Sequence, residues 1–496
     1  MKIPDLHDLI VSADSDLRAA LIAIDGNAQR IVFVCDENRR LLGAISDGDA
    51  RRALVGGHQL DAPVSAVMNR DCVFCPVGAS PEDLLLCLSQ VGVTHVPLVD
   101  EDRRVVDIAA SNRLRRIQVA SPDLVGNELL YVSECVKSGW VSSQGRYIRE
   151  FERMLAEFCG VPHGVAVSNG TVALHLALAT LGIGEGDEVI VPDFTFAASV
   201  NAVLHAGATP VLVDVDRHTW TIDPAVAADA VTPRTKAIMP VHLYGQPCDM
   251  DPLLELASQH HLRIVEDCAE ALGSLYKGVP VGSLGDAGTF SFYGNKTITT
   301  GEGGMVLFKD AELADRARRL RDHGMSTSRR YWHDEVGFNY RMTNLQGALG
   351  VAQMERAESF LDRKRRLSRE YDEGLADLPG IERRAPVSWA DGVCWLYTVL
   401  LDPTAGISRD ELVDKLYRNG IESRPVFYPL HEMPPYQSLT HGRTYPISTD
   451  LSRRGISLPS AVSLSPEEVR DVVATIRGIL GVRQMVPAPP SSDGRP

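Results

Sequence analysis

The chain has 496 residues, of which 44% are hydrophobic and 23% charged, as is typical of globular domains rather than disordered or fibrous chains. This length predicts about three structural units. The formal net charge of −15 argues against a nucleic-acid partner, because binding a phosphate backbone needs a basic stripe on the surface.

The nine cysteines form no paired framework, and their odd number leaves at least one unpaired, which indicates a reducing compartment. The N-terminal segment is acidic where a signal peptide would be apolar, and no apolar run is long enough to span a membrane. We therefore expect a cytoplasmic protein with no membrane partner. Cys72 and Cys75 have metal-like spacing but lack a second pair, so we predict no metal site.

The first 118 residues contain an internal repeat. Segments 30–43 and 95–107 each read as an apolar strand, an acidic turn, two arginines and a second apolar strand. Predicted helices flank the two copies, at 17–24, 50–54, 84–88 and 112–117. Since neither copy can bury its sheet alone, we expect the two to pair face to face.

This repeat resembles a tandem CBS domain, a module that commonly binds adenosine nucleotides and regulates an attached enzyme. The first copy keeps the pattern Gly43-x-x-Ser46-x-x-Asp49, which implies a ribose on Asp49 and a phosphate near Ser46. The second copy carries Asp107, Ala110 and Arg113 at these places. One site for an adenine or guanine nucleotide is therefore expected at most, and a purely structural or dimerising module is the alternative.

From about residue 120 the pattern alternates between short continuous apolar runs and helical stretches. This pattern predicts a mostly parallel sheet covered on both faces. The predicted strands are 164–167, 188–191, 209–213, 236–241, 262–265, 288–292 and 305–308. A long helix over 344–375 then leads to a smaller α+β unit with a strand at 395–401, helices at 409–419 and 466–480, and a disordered tail.

The first candidate site is the turn after the strand 164–167. Ser168 or Asn169 can cap the following helix, and Gly170 and Thr171 then present backbone N–H groups to an anion. Many turns between a strand and a helix look alike, so this signal is weak alone. Further on, Phe196 follows a strand end and could stack on a planar ring, although an isolated phenylalanine is more often part of the core.

The second candidate is Asp267 at the end of the strand 262–265, since ligands in open α/β sheets lie at the carboxyl ends of strands. A buried carboxylate there could pair with a protonated pyridine nitrogen. At ~4 Å and an effective dielectric constant near 20, such a pair is worth about 4 kcal/mol, or roughly three pKa units. The alternative is that Asp267 caps the next helix.

Lys296 is the strongest candidate. It lies on a polar loop between the strands 288–292 and 305–308, followed by a glycine cluster. An amine in such a loop suits a lysine that forms and breaks a Schiff base. A lone lysine is more often a surface residue, but the phosphate-type helix start, the phenylalanine and the acidic strand end upstream favour the reactive role.

These segments resemble the DegT/DnrJ/StrS family of sugar aminotransferases over roughly residues 120–482. The family-like blocks are SNGTVALHLAL, PDFTFAASVNAV, VHLYGQPCDMDPLLELA, VEDCAEALGS, SFYGNKTITTGEGGMV and YWHDEVGFNYRMTNLQGALG. Within the family, the chain is most similar to the perosamine synthases, which aminate a GDP-linked 4-keto-6-deoxymannose. The segments that carry this similarity are GWVSSQGRYIREFE and RDHGM followed by RRYWH.

The resemblance implies an α/β fold, that of a fold-type I aminotransferase dependent on pyridoxal 5′-phosphate. A mostly parallel large domain at 119–376 and a small α+β domain at 377–484 would follow the CBS pair at 1–118 and precede a disordered tail at 485–496. It also implies a transfer of an amino group from L-glutamate to the 4-keto carbon of GDP-4-keto-6-deoxy-D-mannose, giving GDP-perosamine for polysaccharide biosynthesis.

Residue roles follow from the same resemblance. Lys296 would hold the cofactor as a Schiff base and then move the proton, Asp267 would pair with the pyridine nitrogen, and Phe196 would stack on the ring. The phosphate would lie on Gly170, Thr171 and Ser291. Asn339 would reach the neighbouring subunit's site, which implies a homodimer with shared sites. The residues implied to bind the sugar nucleotide are Trp140, His323, Tyr331 and Arg424.

Glu270 departs from the pattern of many relatives, which carry glutamine or histidine beside the cofactor's phenolic oxygen. A carboxylate facing a phenolate is repulsive unless one of them holds a proton. Glu270 would therefore be protonated, share that proton or turn toward the substrate. Perosamine-like members also carry a glutamate there.

Three other functions are compatible with parts of the sequence. The substrate could be a UDP- or dTDP-linked 4-keto sugar. A sugar 3-dehydratase of the same fold is disfavoured by Lys296, because such relatives typically have histidine in its place. A nucleotide-sensing regulatory protein with a vestigial aminotransferase fold would bind no cofactor, so a spectrum of the purified chain would identify it.

Overall fold

The computed structural model describes residues 6–27, 30–79, 83–84, 87–88, 95–110, 116–326, 328–440 and 442–481. The chain divides into two compact units, Met1–Arg116 and Ile117–Pro496. The predicted domain boundaries at 118, 376 and 484 stay predictions. The predicted tail, most of the helix at 112–117 and part of the helix at 84–88 lie outside the described residues.

The first unit consists of two similar halves, each built on a three-stranded sheet with a parallel and an antiparallel pair. Its elements are β1 (Ile10–Ser12), α1 (Leu17–Asn27), β2 (Ile31–Cys35), β3 (Leu41–Ser46), α2 (Asp47–Val55), β4 (Cys75–Pro76), β5 (His95–Val99) and β6 (Val105–Ala110). The register shifts near the end of both β2 and β5. The repeat in the sequence is thus a repeat in the structure.

The two halves meet through equivalent backbone segments. The N–H of Leu41 donates to the carbonyl of Arg103 at 3.0 Å, and the N–H of Val105 donates to the carbonyl of Arg39 at 2.9 Å. Arg39 and Arg103 both adopt the left-handed conformation, with φ of 61° and 60°. Apolar side chains of both halves share one buried cluster. Pairing buries the sheet faces that neither half could cover alone, as expected.

The second unit is organised around a seven-stranded sheet in the order β7-β15-β14-β11-β10-β8-β9. Neighbours from β14 to β9 are parallel, and β15 runs antiparallel between β14 and β7. These strands are β7 (His163–Val167), β8 (Glu188–Pro192), β9 (Thr209–Val213), β10 (Thr235–Ile238), β11 (Arg263–Asp267), β14 (Ala287–Ser291) and β15 (Gly304–Phe308).

Helices cover this sheet, and buried clusters lie against it. The helices are α3 (Glu128–Ser138), α4 (Arg146–Phe158), α5 (Gly170–Thr180), α6 (Ala198–His205), α7 (Pro224–Asp229), α8 (Met250–His260), α9 (Ala311–Arg321) and α10 (Asn344–Met354). Strands buried on both faces must be apolar throughout, which is why the sequence shows continuous apolar runs instead of alternation.

The predicted helix at 344–375 is wrong as a single element. It is two helices, α10 and α11 (Ala357–Leu375), separated at Glu355 and Arg356. Glu355 accepts hydrogen bonds from Asn127 and Tyr131, and Arg356 pairs with Asp123 at 2.9 Å. Contacts with a distant segment of the chain therefore stabilise the break between the two helices. The local sequence pattern does not reveal these contacts.

The C-terminal part forms an antiparallel sheet in the order β16-β18-β20-β19, packed on α11, α12 and α14. Its elements are β16 (Ile381–Arg383), β18 (Tyr397–Leu401), α12 (Arg409–Arg418), β19 (Arg424–Pro425), α13 (Pro446–Arg454), β20 (Gly455–Leu458) and α14 (Pro466–Ile479). A separate small sheet consists of the short strands β12 (Leu275–Tyr276), β13 (Val279–Pro280) and β17 (Ala390–Asp391). None of the helices in the described ranges has the length and apolarity needed to cross a bilayer.

Candidate active site

A cavity of about 920 Å³ lies at the carboxyl ends of β11 and β14, with β19 and β20 forming another wall. It brings together eight of the residues singled out from the sequence: Gly170, Thr171, Phe196, Asp267, Glu270, Ser291, Lys296 and Arg424. The mostly buried amine at 296 and the buried carboxylate at 267 thus share one cavity. This location is the one expected for ligands in an open α/β sheet.

Lys296 lies in the loop between β14 and β15, and its side chain is 13% exposed. Its Nζ is 3.5 Å from Oε1 of Glu270 and 3.8 Å from the ring centroid of Trp395. Burial lowers the pKa of the Lys296 ammonium, while Glu270 and Asp267 act to raise it. A buried lysine with a lowered pKa has more of the neutral amine that attacks a carbonyl carbon.

Asp267 ends β11 and is 5% exposed. Its Oδ2 accepts a hydrogen bond from the hydroxyl of Ser199 at 2.8 Å, and its Oδ1 accepts one from the N–H of Ala269 at 3.1 Å. Burial raises the pKa of Asp267, and these bonds oppose that rise. The N–H bond to Ala269 does cap the following turn, so Asp267 combines that local role with a place in the cavity wall.

Glu270 faces the lysine across the cavity floor. Its Oε2 accepts the backbone N–H of Tyr244 at 2.9 Å, and its Oε1 faces Lys296. Burial raises the pKa of Glu270, and the Lys296 ammonium lowers it. At this distance Glu270 can exchange a proton with the lysine, a contact that the sequence did not indicate, and its predicted relation to the phenolic oxygen or to the substrate stays a prediction.

The start of α5 forms the opposite end of the cavity. Asn169 caps the helix by accepting the N–H of Val172 at 3.0 Å, which leaves the first turn's N–H groups at Gly170 and Thr171 directed toward the cavity. A Cβ at Gly170 would lie 2.7 Å from the Cβ of Ser291, so glycine is needed for this close approach. The geometry suits a phosphate or another anion.

Two aromatic walls complete the cavity. The side chain of Phe196 is 59% exposed, and its ring centroid lies 5.6 Å from that of Phe427. Trp395 is buried, and its indole N–H donates to the carbonyl of Asn295 at 2.8 Å. An exposed aromatic face in a deep cavity is available to stack on a planar ligand.

His242, Glu266 and Cys268 form a buried cluster next to Asp267 whose atoms are close enough to hold a metal ion. The hydrogen bonds give it another role. Nδ1 of His242 accepts the N–H of Cys248 at 3.0 Å, and Nε2 lies 3.1 Å from Glu266. Glu266 also accepts three backbone N–H groups, those of Gly282, Leu284 and Gly285. This network fixes the loop before β14 and leaves neither histidine nitrogen free.

Four predicted residues do not line this cavity within the described part of the chain: Trp140, His323, Tyr331 and Asn339. His323 and Asn339 lie on neighbouring backbone segments, because the N–H of His323 donates to the carbonyl of Phe338 at 2.8 Å and Asp322 pairs with Asn339. Asn339 is exposed, and Tyr331 is 75% exposed. The predicted roles of Trp140, His323 and Tyr331 in binding the sugar nucleotide, and of Asn339 in a neighbouring subunit's site, stay predictions.

Ser46 and Asp49, the predicted nucleotide contacts, are joined to each other at the start of α2. The hydroxyl of Ser46 donates to Oδ2 of Asp49 at 2.6 Å, and the two form a capping box. Oδ1 of Asp49 also pairs with Arg52 at 2.6 Å. A ribose on Asp49 would have to compete with these partners, and the nucleotide site stays a prediction.

The sequence did not indicate several residues that contact the central groups. Ser199 holds Asp267, the Tyr244 backbone holds Glu270, and Trp395 covers Lys296. Ser199 lies within the block PDFTFAASVNAV, shortly after the end of a predicted strand, and this position was the only hint of its role in the sequence. Trp395 lies 99 positions from Lys296 in the chain, and nothing in its local sequence indicates the contact.

Comparison with known proteins connects this geometry to a family. The model of the DegT/DnrJ/EryC1/StrS aminotransferase family matches residues 122–477, and the CBS domain model matches 5–56 and 64–118. The GDP-perosamine synthase of Caulobacter vibrioides is 50% identical over 74% of this chain and 99% of its own length.

Two further relatives extend the similarity. The dTDP-3-amino-3,4,6-trideoxy-alpha-D-glucose transaminase of Streptomyces venezuelae is 39% identical over 68% of this chain and 89% of its own. The putative sugar aminotransferase Spr1654 of Streptococcus pneumoniae, solved in its PMP form, is 32% identical with a TM-score of 0.70, covering 74% of this chain and 98% of that one.

Proposed function

Because this chain belongs to the DegT/DnrJ/EryC1/StrS aminotransferase family, we propose that it transfers an amino group from L-glutamate to C4 of GDP-4-keto-6-deoxy-D-mannose. The product would be GDP-perosamine. The chain is a sugar aminotransferase dependent on pyridoxal 5′-phosphate, and it carries two CBS domains. The observation that carries the substrate assignment is the 50% identity to a GDP-perosamine synthase over nearly all of that enzyme.

The cavity fits this cofactor at three separate points. The start of α5 offers N–H groups for the phosphate, Asp267 offers a buried carboxylate for the pyridine nitrogen, and Lys296 offers an amine. Phe196 presents an exposed ring to the same cavity. When bound, the cofactor supplies a cationic ring that withdraws electrons from the carbon undergoing amino transfer.

The chain's own residues would then divide the remaining work. Asp267, held by Ser199, keeps a negative charge at the ring nitrogen. Lys296 moves a proton through its Nζ, and Glu270, 3.5 Å away, exchanges a proton with that amine. Trp395 covers the lysine and excludes water from it, since its ring lies 3.8 Å from Nζ.

A homodimer with shared sites is part of the proposal. Asn339, Trp140, His323 and Tyr331 lie outside the chain's own cavity, so they would act in the partner's. The surface around α3 is also apolar: Val125 and Leu129 are each 80% exposed, and Val136 is 62% exposed. Several exposed apolar side chains on one short segment are typical of an interface.

Turnover of a panel of 4-keto sugar nucleotides with L-glutamate tests the substrate assignment. We expect the GDP-linked 4-keto-6-deoxymannose to give an aminated product, detected by mass, with a kcat/KM at least about tenfold above that of UDP- or dTDP-linked 4-keto sugars, a difference of about 1.4 kcal/mol. A clear preference for a dTDP-linked sugar would favour the second candidate, which the 39% identical transaminase supports.

Replacing Glu270 with glutamine should lower the pKa of the Lys296 ammonium in the cofactor-free protein. Burial lowers this pKa, and the Glu270 carboxylate opposes that effect, so its removal leaves burial less opposed. Only the neutral amine attacks the aldehyde. The measurement is the rate at which the cofactor-free protein combines with pyridoxal 5′-phosphate, followed by absorbance as a function of pH. The midpoint of this pH profile should shift to lower pH.

Glu302→Gln is the matched control for this pH profile. Glu302 lines the same cavity but makes no contact with Lys296 in the described structure. Its replacement should leave the midpoint in place. An unchanged or higher midpoint in Glu270→Gln would show that the Glu270 carboxylate does not stabilise the charged form of Lys296.

A further inference from the structure

The wall of the cavity formed by β20 contains a buried hydroxyl that has no hydrogen-bond partner in the described part of the chain. Ser457 is 1% exposed and lines the cavity, and its Oγ makes no hydrogen bond within the described residues. The buried Oδ1 of Asn295, on the same cavity, is also unbonded there. A buried polar atom left unpaired costs about 1–3 kcal/mol. Such atoms in a cavity wall indicate a ligand that completes their bonds.

A cation stands next to this hydroxyl. Arg424 in β19 is the register partner of Ser457 in β20, which places the two side chains side by side on one face of the sheet. Nε and Nη2 of Arg424 donate to one oxygen of Glu422, at 3.1 and 2.8 Å. Its Nη1 has no partner in the described structure, so the arginine keeps a donor for a ligand.

This wall lines the same cavity as Lys296 and is connected to it through the neighbouring strand. Tyr397 in β18 is the register partner of Leu458, the residue after Ser457. Two residues before Tyr397 in the chain is Trp395, whose ring contacts Nζ of Lys296 at 3.8 Å. The hydroxyl of Ser457 and the guanidinium of Arg424 therefore belong to a sheet whose neighbouring strand leads to Trp395, and they line the same cavity as Lys296.

We propose that Ser457 and Arg424 form a carboxylate subsite for the amino donor. The hydroxyl and the guanidinium would donate to one carboxylate of L-glutamate, a binding role that deepens the proposed function and rests on it. An α-carboxylate is attached to the same carbon as the amino group that must meet the cofactor at Lys296, so its subsite has to be near that lysine. The diphosphate of a sugar nucleotide is many bonds from the reacting keto carbon.

The charge of the wall agrees with a carboxylate. Glu422 offsets part of the Arg424 charge, and Arg424 is the only lysine or arginine besides Lys296 among the described residues that line the cavity. A singly charged carboxylate matches this remaining charge better than a diphosphate does. A hydroxyl and a guanidinium are also both donors, and a carboxylate accepts from both.

Replacing Ser457 with alanine tests the subsite on the full-length protein loaded with cofactor. Calorimetry would measure the Kd of glutarate, a dicarboxylate that has no amino group and does not react. Absorbance would measure the L-glutamate concentration that half-saturates amino transfer to the cofactor in the absence of a keto sugar. We expect both to rise about tenfold, which corresponds to about 1.4 kcal/mol. Arg424→Gln should raise both at least as much.

Ser423→Ala is the matched control. Ser423 is 8% exposed, and among the described residues its hydroxyl makes no hydrogen bond and its side chain is not part of the cavity lining. It should leave both values unchanged. Unchanged values in both Ser457→Ala and Arg424→Gln, or a rise confined to the KM of the keto sugar nucleotide, would overturn the subsite. Failure of the wild-type protein to react with L-glutamate at all would instead refute the proposed donor.

Discussion

Replacing Lys296 with alanine should abolish turnover and the visible absorbance of the covalently bound cofactor. Lys296 is the only lysine among the described residues that line the cavity. General acid–base catalysis by one side chain contributes about 10²–10⁴-fold, and the loss of the covalent attachment adds to this. Steady-state turnover and an absorbance spectrum of the purified variant measure the two effects separately.

Lys296→Arg distinguishes the amine from its charge. An arginine keeps a cation beside Glu270 but cannot be deprotonated to attack an aldehyde. We expect it to be as inactive as the alanine variant. Turnover retained by either variant would show that the reacting amine lies elsewhere.

Co-expression of the Lys296→Ala variant with an Asn339→Ala variant tests whether two chains share their active sites. A hybrid of one Lys296→Ala chain and one Asn339→Ala chain contains one site in which both residues are intact, provided that Asn339 acts in the partner's cavity. Activity should then reappear in the mixture. Its absence, with each variant folded and dimeric, would place Asn339 outside the site.

Replacing Asp267 with asparagine is expected to lower kcat by about 10³-fold. A carboxylate at ~4 Å from a protonated ring nitrogen is worth about 4 kcal/mol at an effective dielectric constant near 20, or roughly three pKa units. The neutral amide is nearly the same size, so it removes this charge while keeping the packing at a 5% exposed position. The measurement is kcat together with the absorbance of the bound cofactor as a function of pH.

Ser199→Ala gives a graded comparison for this effect. It removes the hydroxyl that donates to Asp267 at 2.8 Å but leaves the charge in place. The expected loss is about 1 kcal/mol, or about fivefold in kcat. An Asp267→Asn variant that keeps kcat within a few-fold of wild type would mean that this carboxylate does not hold the ring proton.

Several sequence expectations depended only on local physics, and the structure agrees with them. The strands β7, β8, β9 and β11 lie within a few residues of their predicted positions because strands buried on both faces must be continuously apolar. Of the two predicted caps, Ser168 and Asn169, it is Asn169 that caps α5, and such a cap can be predicted because capping involves residues only a few positions apart. The repeat at 30–43 and 95–107 likewise became two paired hairpins.

Other features depended on contacts between distant parts of the chain. The helix predicted at 344–375 is divided where Asn127, Tyr131 and Asp123 hold Glu355 and Arg356. The residue types in this segment were compatible with one helix or with two, and the distant partners of Glu355 and Arg356 selected two.

The amino-acid sequence by itself determined the alternation of strands and helices, the loop that carries Lys296 and the strand end that carries Asp267, because each is encoded by neighbours along the chain. Only the tertiary structure decided that Trp395 covers the lysine, that Ser199 holds the aspartate and that Ser457 lies beside Arg424. These contacts join segments far apart in the chain, and their geometry is set by packing of the sheets rather than by any local pattern.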